Sequence, residues 1–175
     1  MLFNKRSFTK NKEIHTLILL VLFSVAIRVP IVFIFGDISL ENEWKIIVNN
    51  LIVYETLSFR SFDEFLLPNL FMPPLYSYSL YFFSIFNLQE QNYIQLILLS
   101  QILLSSISVV IFYEINKIFF SHKISFYSSL LFSLFPLHVY ACSQVSSVSL
   151  QTFFTILFFY FFFHFFEKRN FFSIF

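Results

Sequence analysis

The sequence predicts an all-α polytopic membrane protein, with about four transmembrane helices and two amphipathic helices in its first outer loop. The 175 residues have a mean hydropathy of +0.77, and 58% of them are hydrophobic while only 12% are charged. A soluble domain of this length could not bury so much apolar surface, so the excess must face lipid. Several stretches approach the roughly 20 apolar residues that cross a bilayer. The charges are segregated along the chain.

Four spans are predicted within a single membrane domain of residues 1–175. They cover residues 16–35, 93–118, 124–141 and 147–166. The first is too long, and too poor in small residues near its end, for a cleaved signal peptide. A fifth stretch, residues 73–88, begins with two prolines and is shorter than a usual span. Its length leaves open whether it crosses the membrane.

The distribution of charge decides this question, because Lys and Arg of short loops stay in the cytoplasm. If residues 73–88 lie on the surface, eight of the 11 basic residues fall on the cytoplasmic side. Residues 36–92 then form an acidic outer loop. If residues 73–88 crossed, Lys168 and Arg169 would fall outside. We therefore predict a cytoplasmic N terminus and an amphipathic surface helix at residues 73–88. Near the inner end of the second span, Glu114 is expected to pair with Lys117.

The outer loop, residues 36–92, is too long for a plain connector and should contain structure of its own. Apolar residues recur at helical spacing over residues 41–54, which predicts an amphipathic helix with Ser39 as its N-cap. Residues 56–68 are expected to be irregular. The two prolines at residues 73 and 74 then form a rigid turn into the second surface helix.

Other kinds of chemistry find little support in the sequence. The four histidines are scattered, and Cys142 is the one cysteine. A Gly-rich phosphate loop is excluded, because Gly36 is the one glycine. The formal net charge of +1 gives no sign of a nucleic-acid partner. The carboxylates of the outer loop remain as candidates.

A resemblance to a known family arises from the order of these features. The first span is followed by an outer acid, Asp37, then by the helix sequence EWKIIVNNL at residues 43–51 and the turn PPLY at residues 73–76. An interfacial helix and a run of spans follow, with Phe135 and Pro136 near the outer end of the third. This order resembles the N-terminal part of the GT-C glycosyltransferases. Within that superfamily it is most similar to bacterial protein-mannosyltransferase and aminoarabinose-transferase-like enzymes.

The resemblance implies a glycosyltransferase that moves a sugar from a polyprenyl-phosphate donor to an unidentified acceptor. The reaction would take place on the outer face of the bacterial cytoplasmic membrane, so the loop would be periplasmic. Membrane lipid and the lipid-linked sugar are the implied partners, and a divalent cation (Mg²⁺ or Mn²⁺) is an implied cofactor. Since the chain ends inside a further apolar stretch, we expect it to be the N-terminal fragment of such an enzyme.

The resemblance also implies roles for particular residues. A carboxylate near the first span acts as general base on the acceptor hydroxyl, and it also holds the cation if one is bound. These roles fall on Asp37, with Glu41 and Glu43 as catalytic neighbours. The implied substrate-binding residues are Arg28, Asn50, Pro74 and Tyr76.

Each assignment has a structural alternative. Asp37 could be a solvated residue that caps the next helix, and Glu43 could belong to the polar face of that helix. Arg28 could bind a phosphate, extend outward to the interface or pair with a loop acid. Residues 146–149 are all serine or valine, where relatives often carry an acid. The alternative function is a non-enzymatic membrane scaffold or partner subunit. A transporter is less well supported, because no pair of Gly/Pro-broken helices is present.

Overall fold

The computed structural model describes residues 10–59, 61–62, 65–66, 68, 72–86 and 88–168. Its elements are α1 (Lys10–Phe35), α2 (Asn42–Tyr54), β1 (Ser61–Phe62), β2 (Phe65–Leu66), α3 (Pro74–Ser84), α4 (Glu90–Phe119), α5 (His122–Ser133), α6 (Pro136–Tyr140) and α7 (Val148–Lys168). The two short strands pair in antiparallel fashion between α2 and α3. All other regular elements among the described residues are helices, which confirms the predicted all-α fold class.

Three of the described helices are long and apolar enough to cross a membrane. They cover Lys12–Phe35, Glu90–Phe119 and Val148–Phe166. These helices match the first, second and fourth predicted spans. α4 lies at the centre of the arrangement, where it packs against α1, α3, α5 and α7.

The third predicted span differs from the expectation, because residues 124–141 do not form one continuous helix. α5 ends at Ser133, and the five-residue α6 begins at Pro136. Proline has no N–H to donate, and its ring drives the preceding residue out of the helical region. Phe135 accordingly has φ −60° and ψ 116°. The predicted count of four spans is therefore not confirmed.

Both predicted surface helices are present. α2 begins one residue later than predicted, and α3 has 11 residues, too few to span a bilayer. The predicted cap of α2 is wrong. Glu41 occupies the N-cap position, and the hydroxyl of Ser39 donates to Glu41 Oε1 at 3.0 Å instead of reaching a backbone N–H of the helix.

Serine supplies the close helix contacts in this protein. The buried face of α5 consists of Ser125, Ser129 and Ser133, spaced four residues apart. Each hydroxyl donates to a carbonyl of the same chain segment, at 2.8–3.1 Å. Small residues at this spacing let membrane helices approach closely. α5 thereby packs against α4 without the glycines that such contacts often use.

An ion cluster joins the N-terminal part of α1 to the C-terminal end of α4. The ammonium of Lys117 lies 3.1 Å from a carboxylate oxygen of Glu114, and it also pairs with Glu13. The predicted pair of Glu114 and Lys117 is thus confirmed. The added partner, Glu13, makes it a link between two membrane-spanning helices.

Candidate functional site

The chain leaves α1 at Phe35, and the second residue after that exit is Asp37. Its backbone N–H donates to the carbonyl of Ser143 at 2.9 Å, and its Oδ2 accepts from the N–H of Val145 at 2.6 Å. Both partners belong to the turn between α6 and α7. The second oxygen, Oδ1, has no hydrogen-bond partner among the described residues. Asp37 is therefore fixed through one oxygen and keeps the other available.

Two further contacts fix the backbone just before Asp37. The side-chain amide of Gln144 donates to the carbonyl of Phe35 at 2.9 Å, which satisfies one of the exposed carbonyls at the end of α1. Gly36 donates its N–H to the carbonyl of Val32 at 2.8 Å. A Cβ at Gly36 would lie only 2.2 Å from that carbonyl oxygen and 3.3 Å from the side chain of Leu98. The exit from α1 therefore requires glycine.

We expect Gly36→Ala to lower the free energy of unfolding by about 1–3 kcal/mol, because backbone must shift to relieve the clash. The same shift would displace the Asp37 carboxylate from Val145, so any activity that depends on Asp37 should fall as well. Thermal unfolding in detergent measures the first effect. Ala26→Gly, at an exposed position within α1, sets the scale for comparison, because glycine inside a helix costs about 1 kcal/mol relative to alanine without any clash. An alanine variant as stable as the wild type would contradict the predicted clash.

Tyr76 of α3 packs in the same part of the protein as Leu40 and Val145, the neighbours of this acid. Its side chain is buried and packs edge-to-face on Trp44, with ring centroids 4.8 Å apart. Burial raises the pKa of the Tyr76 phenol above its ordinary value, and the nearby Tyr93 and the Asp37 carboxylate raise it further. The phenol oxygen has no hydrogen-bond partner among the described residues. Tyr76 is thus a buried, protonated donor for which the described residues supply no acceptor.

An apolar cluster supports these groups. Its buried members come from the loop after α1, from α2, α3 and α4, and from the turn before α7: Leu40, Val48, Tyr76, Leu80, Tyr93, Ile94, Ile97, Leu98 and Val145. Tyr93 donates its hydroxyl to the carbonyl of Leu80 at 2.9 Å, which ties α3 to α4. The acid at the α1 exit therefore stands at the edge of a packed apolar layer.

Glu41 and Glu43 lie at the start of α2. Glu41 is exposed and bonded to Ser39, while Glu43 is half-buried in the first turn. Acids at this position stabilise a helix through its dipole. Neither side chain has a described contact with Asp37. Their catalytic role stays a prediction, and the structure supplies a local reason for their presence.

Asn50 and Pro74 also have local roles. The Asn50 side chain is buried and donates to the carbonyl of Ser58 at 2.9 Å, which holds the chain that follows α2. Pro74 is exposed at the first position of α3, where its fixed φ and missing N–H suit a helix start. Substrate binding by either residue stays a prediction.

Arg28 is completely buried, and all of its described partners are uncharged. Its Nε donates to Ser105 Oγ at 2.7 Å. Its Nη1 donates to Ser24 Oγ at 2.7 Å and to the carbonyl of Ser133 at 3.3 Å, and its Nη2 lies 3.1 Å from His138 Nδ1. Arg28 thus neither extends to the interface nor pairs with a described loop acid. It joins α1 to α4, α5 and α6.

The same contacts define the state of His138. A guanidinium is always charged and only donates, so Nδ1 of His138 must accept. Its Nε2 lies 2.9 Å from Ser105 Oγ, and it is the nitrogen left to donate. His138 is therefore a neutral imidazole. No role was predicted for His138 from the sequence, although a histidine two residues after Pro136 in an apolar stretch indicates a buried polar contact.

The described residues contain no group of three or more His, Cys, Asp or Glu side chains that could hold a metal ion. Asp37 offers one free carboxylate oxygen, which is less than the several oxygen ligands that Mg²⁺ or Mn²⁺ prefers. The described residues therefore do not form a dedicated metal site. The divalent cation stays a prediction.

Comparison with known proteins adds one finding. The family model described as "Dolichyl-phosphate-mannose-protein mannosyltransferase" matches residues 71–175, from just before α3 to the last residue given. No curated protein and no solved structure matches the chain. Asp37 and α2 lie outside the matched segment. The Ser143–Val145 turn that holds Asp37 lies inside it.

Proposed function

Because this chain belongs to the dolichyl-phosphate-mannose-protein mannosyltransferase family, we propose that it is the sugar-transfer module of a membrane glycosyltransferase. It would take the sugar from a polyprenyl-phosphate donor and pass it to an acceptor hydroxyl on the non-cytoplasmic face of a bacterial inner membrane. The family match over residues 71–175 is the observation that carries the proposal. The placement of Asp37 supports it independently.

In the proposed reaction, Asp37 is the general base. The acceptor oxygen attacks the anomeric carbon of the sugar, while the bond from that carbon to the phosphate oxygen breaks. Asp37 Oδ1 takes the hydroxyl proton, and the polyprenyl phosphate leaves with the bonding electrons. The bond from Val145 to Oδ2 keeps the carboxylate in place during the reaction. Substrate binding by Tyr76 stays a prediction.

The surface helices favour a site at the membrane boundary. α2 exposes Ile52, Val53 and Tyr54, and α3 exposes Leu75 and Phe82, each more than half accessible. Apolar exposure of this kind suits helices that lie in the interface. A lipid-linked donor would keep its prenyl chain in the bilayer and bring its phosphate to this level. No step of the proposed reaction requires the divalent cation.

A second candidate, a non-enzymatic scaffold or partner subunit, is favoured by one observation. The start of α7 holds Ser149, which is buried and lies 3.8 Å from the sulfur of Cys142, where relatives often have an acid. A site with a single carboxylate has fewer groups for catalysis. The two candidates differ in whether any sugar is transferred.

The test uses sealed right-side-out vesicles that contain the protein, loaded with polyprenyl-phosphate-linked radiolabelled mannose. We expect label to pass from the donor to a product that a mannosidase added outside can digest. Vesicles without the protein are the control. Label that stays on the donor would favour the scaffold, and a product protected from the external enzyme would contradict the proposed side of the membrane.

A further inference from the structure

A groove lies between α3, α4 and α7. Its volume is about 330 Å³, and its walls include Tyr76, Phe83, Gln101, Ile107 and Leu150. It follows α4 from Ile97 to Ile107, which at 1.5 Å per residue is about 15 Å. Ile107 is 45% exposed, so the groove opens to the side of a helix that is long and apolar enough to span the membrane.

Two buried polar side chains in this groove lack partners. Gln101 is 2% exposed, and neither its Nε2 nor its Oε1 has a hydrogen-bond partner among the described residues. The phenol of Tyr76, 3% exposed, is in the same situation. The hydroxyls of Ser79 and Ser100 are already donated to backbone carbonyls, at 2.7 and 2.6 Å. Burying an unpaired polar group costs about 1–3 kcal/mol, so three unpaired atoms on two side chains that line one groove indicate a missing partner.

The chemistry of the walls defines that partner. Every lining side chain is uncharged and most are hydrocarbon, so the occupant is apolar along most of its length and uncharged inside the groove. The amide of Gln101 offers a donor and an acceptor together, which a hydroxyl group complements because it both accepts and donates. Gln101 is about 16 Å along α4 from Glu90, within the span, where lipid is the surrounding medium.

We propose that this groove binds a hydrocarbon chain of a membrane lipid that carries a hydroxyl group, with the hydroxyl against Gln101 and Tyr76 and the chain along α4 toward Ile107. A groove filled only with water would satisfy the three polar atoms but would leave the apolar walls wet. Apolar cavities usually stay dry, because each water needs two to four polar partners. The proposal concerns binding alone and does not rest on sugar transfer.

Two uncharged probes that differ by one hydroxyl test the proposal. The purified full chain in detergent micelles is titrated with methyl 3-hydroxymyristate or with methyl myristate, and native mass spectrometry measures the bound fraction. Trp44, the one tryptophan, packs on Tyr76 and reports binding there through its fluorescence. We expect saturable binding of the hydroxylated ester with at least about tenfold preference, because a site built for a hydroxyl discriminates against the analogue that lacks it.

Variants test whether the preference for the hydroxylated ester arises at Gln101 and Tyr76. Gln101→Leu is expected to bind both esters equally, Tyr76→Phe should reduce the preference, and Gln95→Leu, on the exposed side of α4, should leave it unchanged. Equal affinity of the wild type for the two esters, or no saturable binding of either, would overturn the proposal and leave water as the occupant. A preference that survives both Gln101→Leu and Tyr76→Phe would also overturn it.

Discussion

Replacing Asp37 with asparagine is expected to lower the rate of sugar transfer by roughly 10²–10⁴-fold, the usual contribution of a general base. Asparagine has nearly the same shape, and its amide oxygen can still accept from the N–H of Val145. The exit from α1 should therefore keep its geometry, while the group that takes the acceptor proton is lost. Transfer of label from polyprenyl-phosphate-linked mannose measures the rate, and the amount of protein in the membrane is measured in the same samples.

Glu41→Gln and Glu43→Gln are the matched controls, since each removes a nearby carboxylate of the outer loop. If Asp37 is the base, both should change the transfer rate only a few-fold, because neither has a described contact with Asp37. Unchanged transfer in Asp37→Asn would remove the assignment of the base. A large loss in Glu43→Gln instead would move the base to α2. If Asp37→Asn failed to accumulate in the membrane, Asp37 would act mainly through its bond to Val145.

The helices that depend on local sequence were predictable, and the contacts between distant segments were not. Continuous apolar runs indicated α1, α4 and α7, and two prolines indicated the start of α3. The hydrogen bond that holds the Asp37 carboxylate joins residues 108 positions apart in the chain, and its donor is the backbone N–H of Val145. Every residue except proline has that group, so no pattern in the sequence could reveal which N–H would meet the carboxylate.

The break between α5 and α6 shows a different limit. Pro136 was visible, but an apolar run with one proline is compatible with a kinked helix as well as with two helices. The break is favoured because the groups near it find hydrogen-bond partners elsewhere in the protein. The carbonyl of Ser133 accepts from Arg28, and the ring of His138 meets the same guanidinium. The partner that satisfies this break thus lies about a hundred residues earlier, on α1.

Arg28→Met is expected to have the largest effect on the stability of the fold. It removes the donors that meet the carbonyl of Ser133 and Nδ1 of His138, both buried. Two orphaned acceptors at about 1–3 kcal/mol each predict a loss of roughly 2–6 kcal/mol in the free energy of unfolding. This loss is measured by unfolding the purified protein in increasing concentrations of a denaturing detergent. Lys12→Met, at an exposed position of the same helix, should change stability by less than about 0.5 kcal/mol.

The double variant Arg28→Met/His138→Leu separates lost hydrogen bonds from lost packing. If the guanidinium and the imidazole act as one network, the loss in the double variant should be smaller than the sum of the two single losses. Additive losses would contradict the network.

Arg28→Met should change the insertion of α1 into the membrane in the opposite direction from its effect on stability. A charged residue within a span opposes insertion by roughly 2.5–3.5 kcal/mol, so the methionine variant should insert at least as well as the wild type while folding less stably. Only a residue that acts after insertion, by holding α1 to α4, α5 and α6, changes the two quantities with opposite signs. If the arginine served mainly to anchor α1 at the interface, removing it would lower both the insertion of α1 and the stability of the fold.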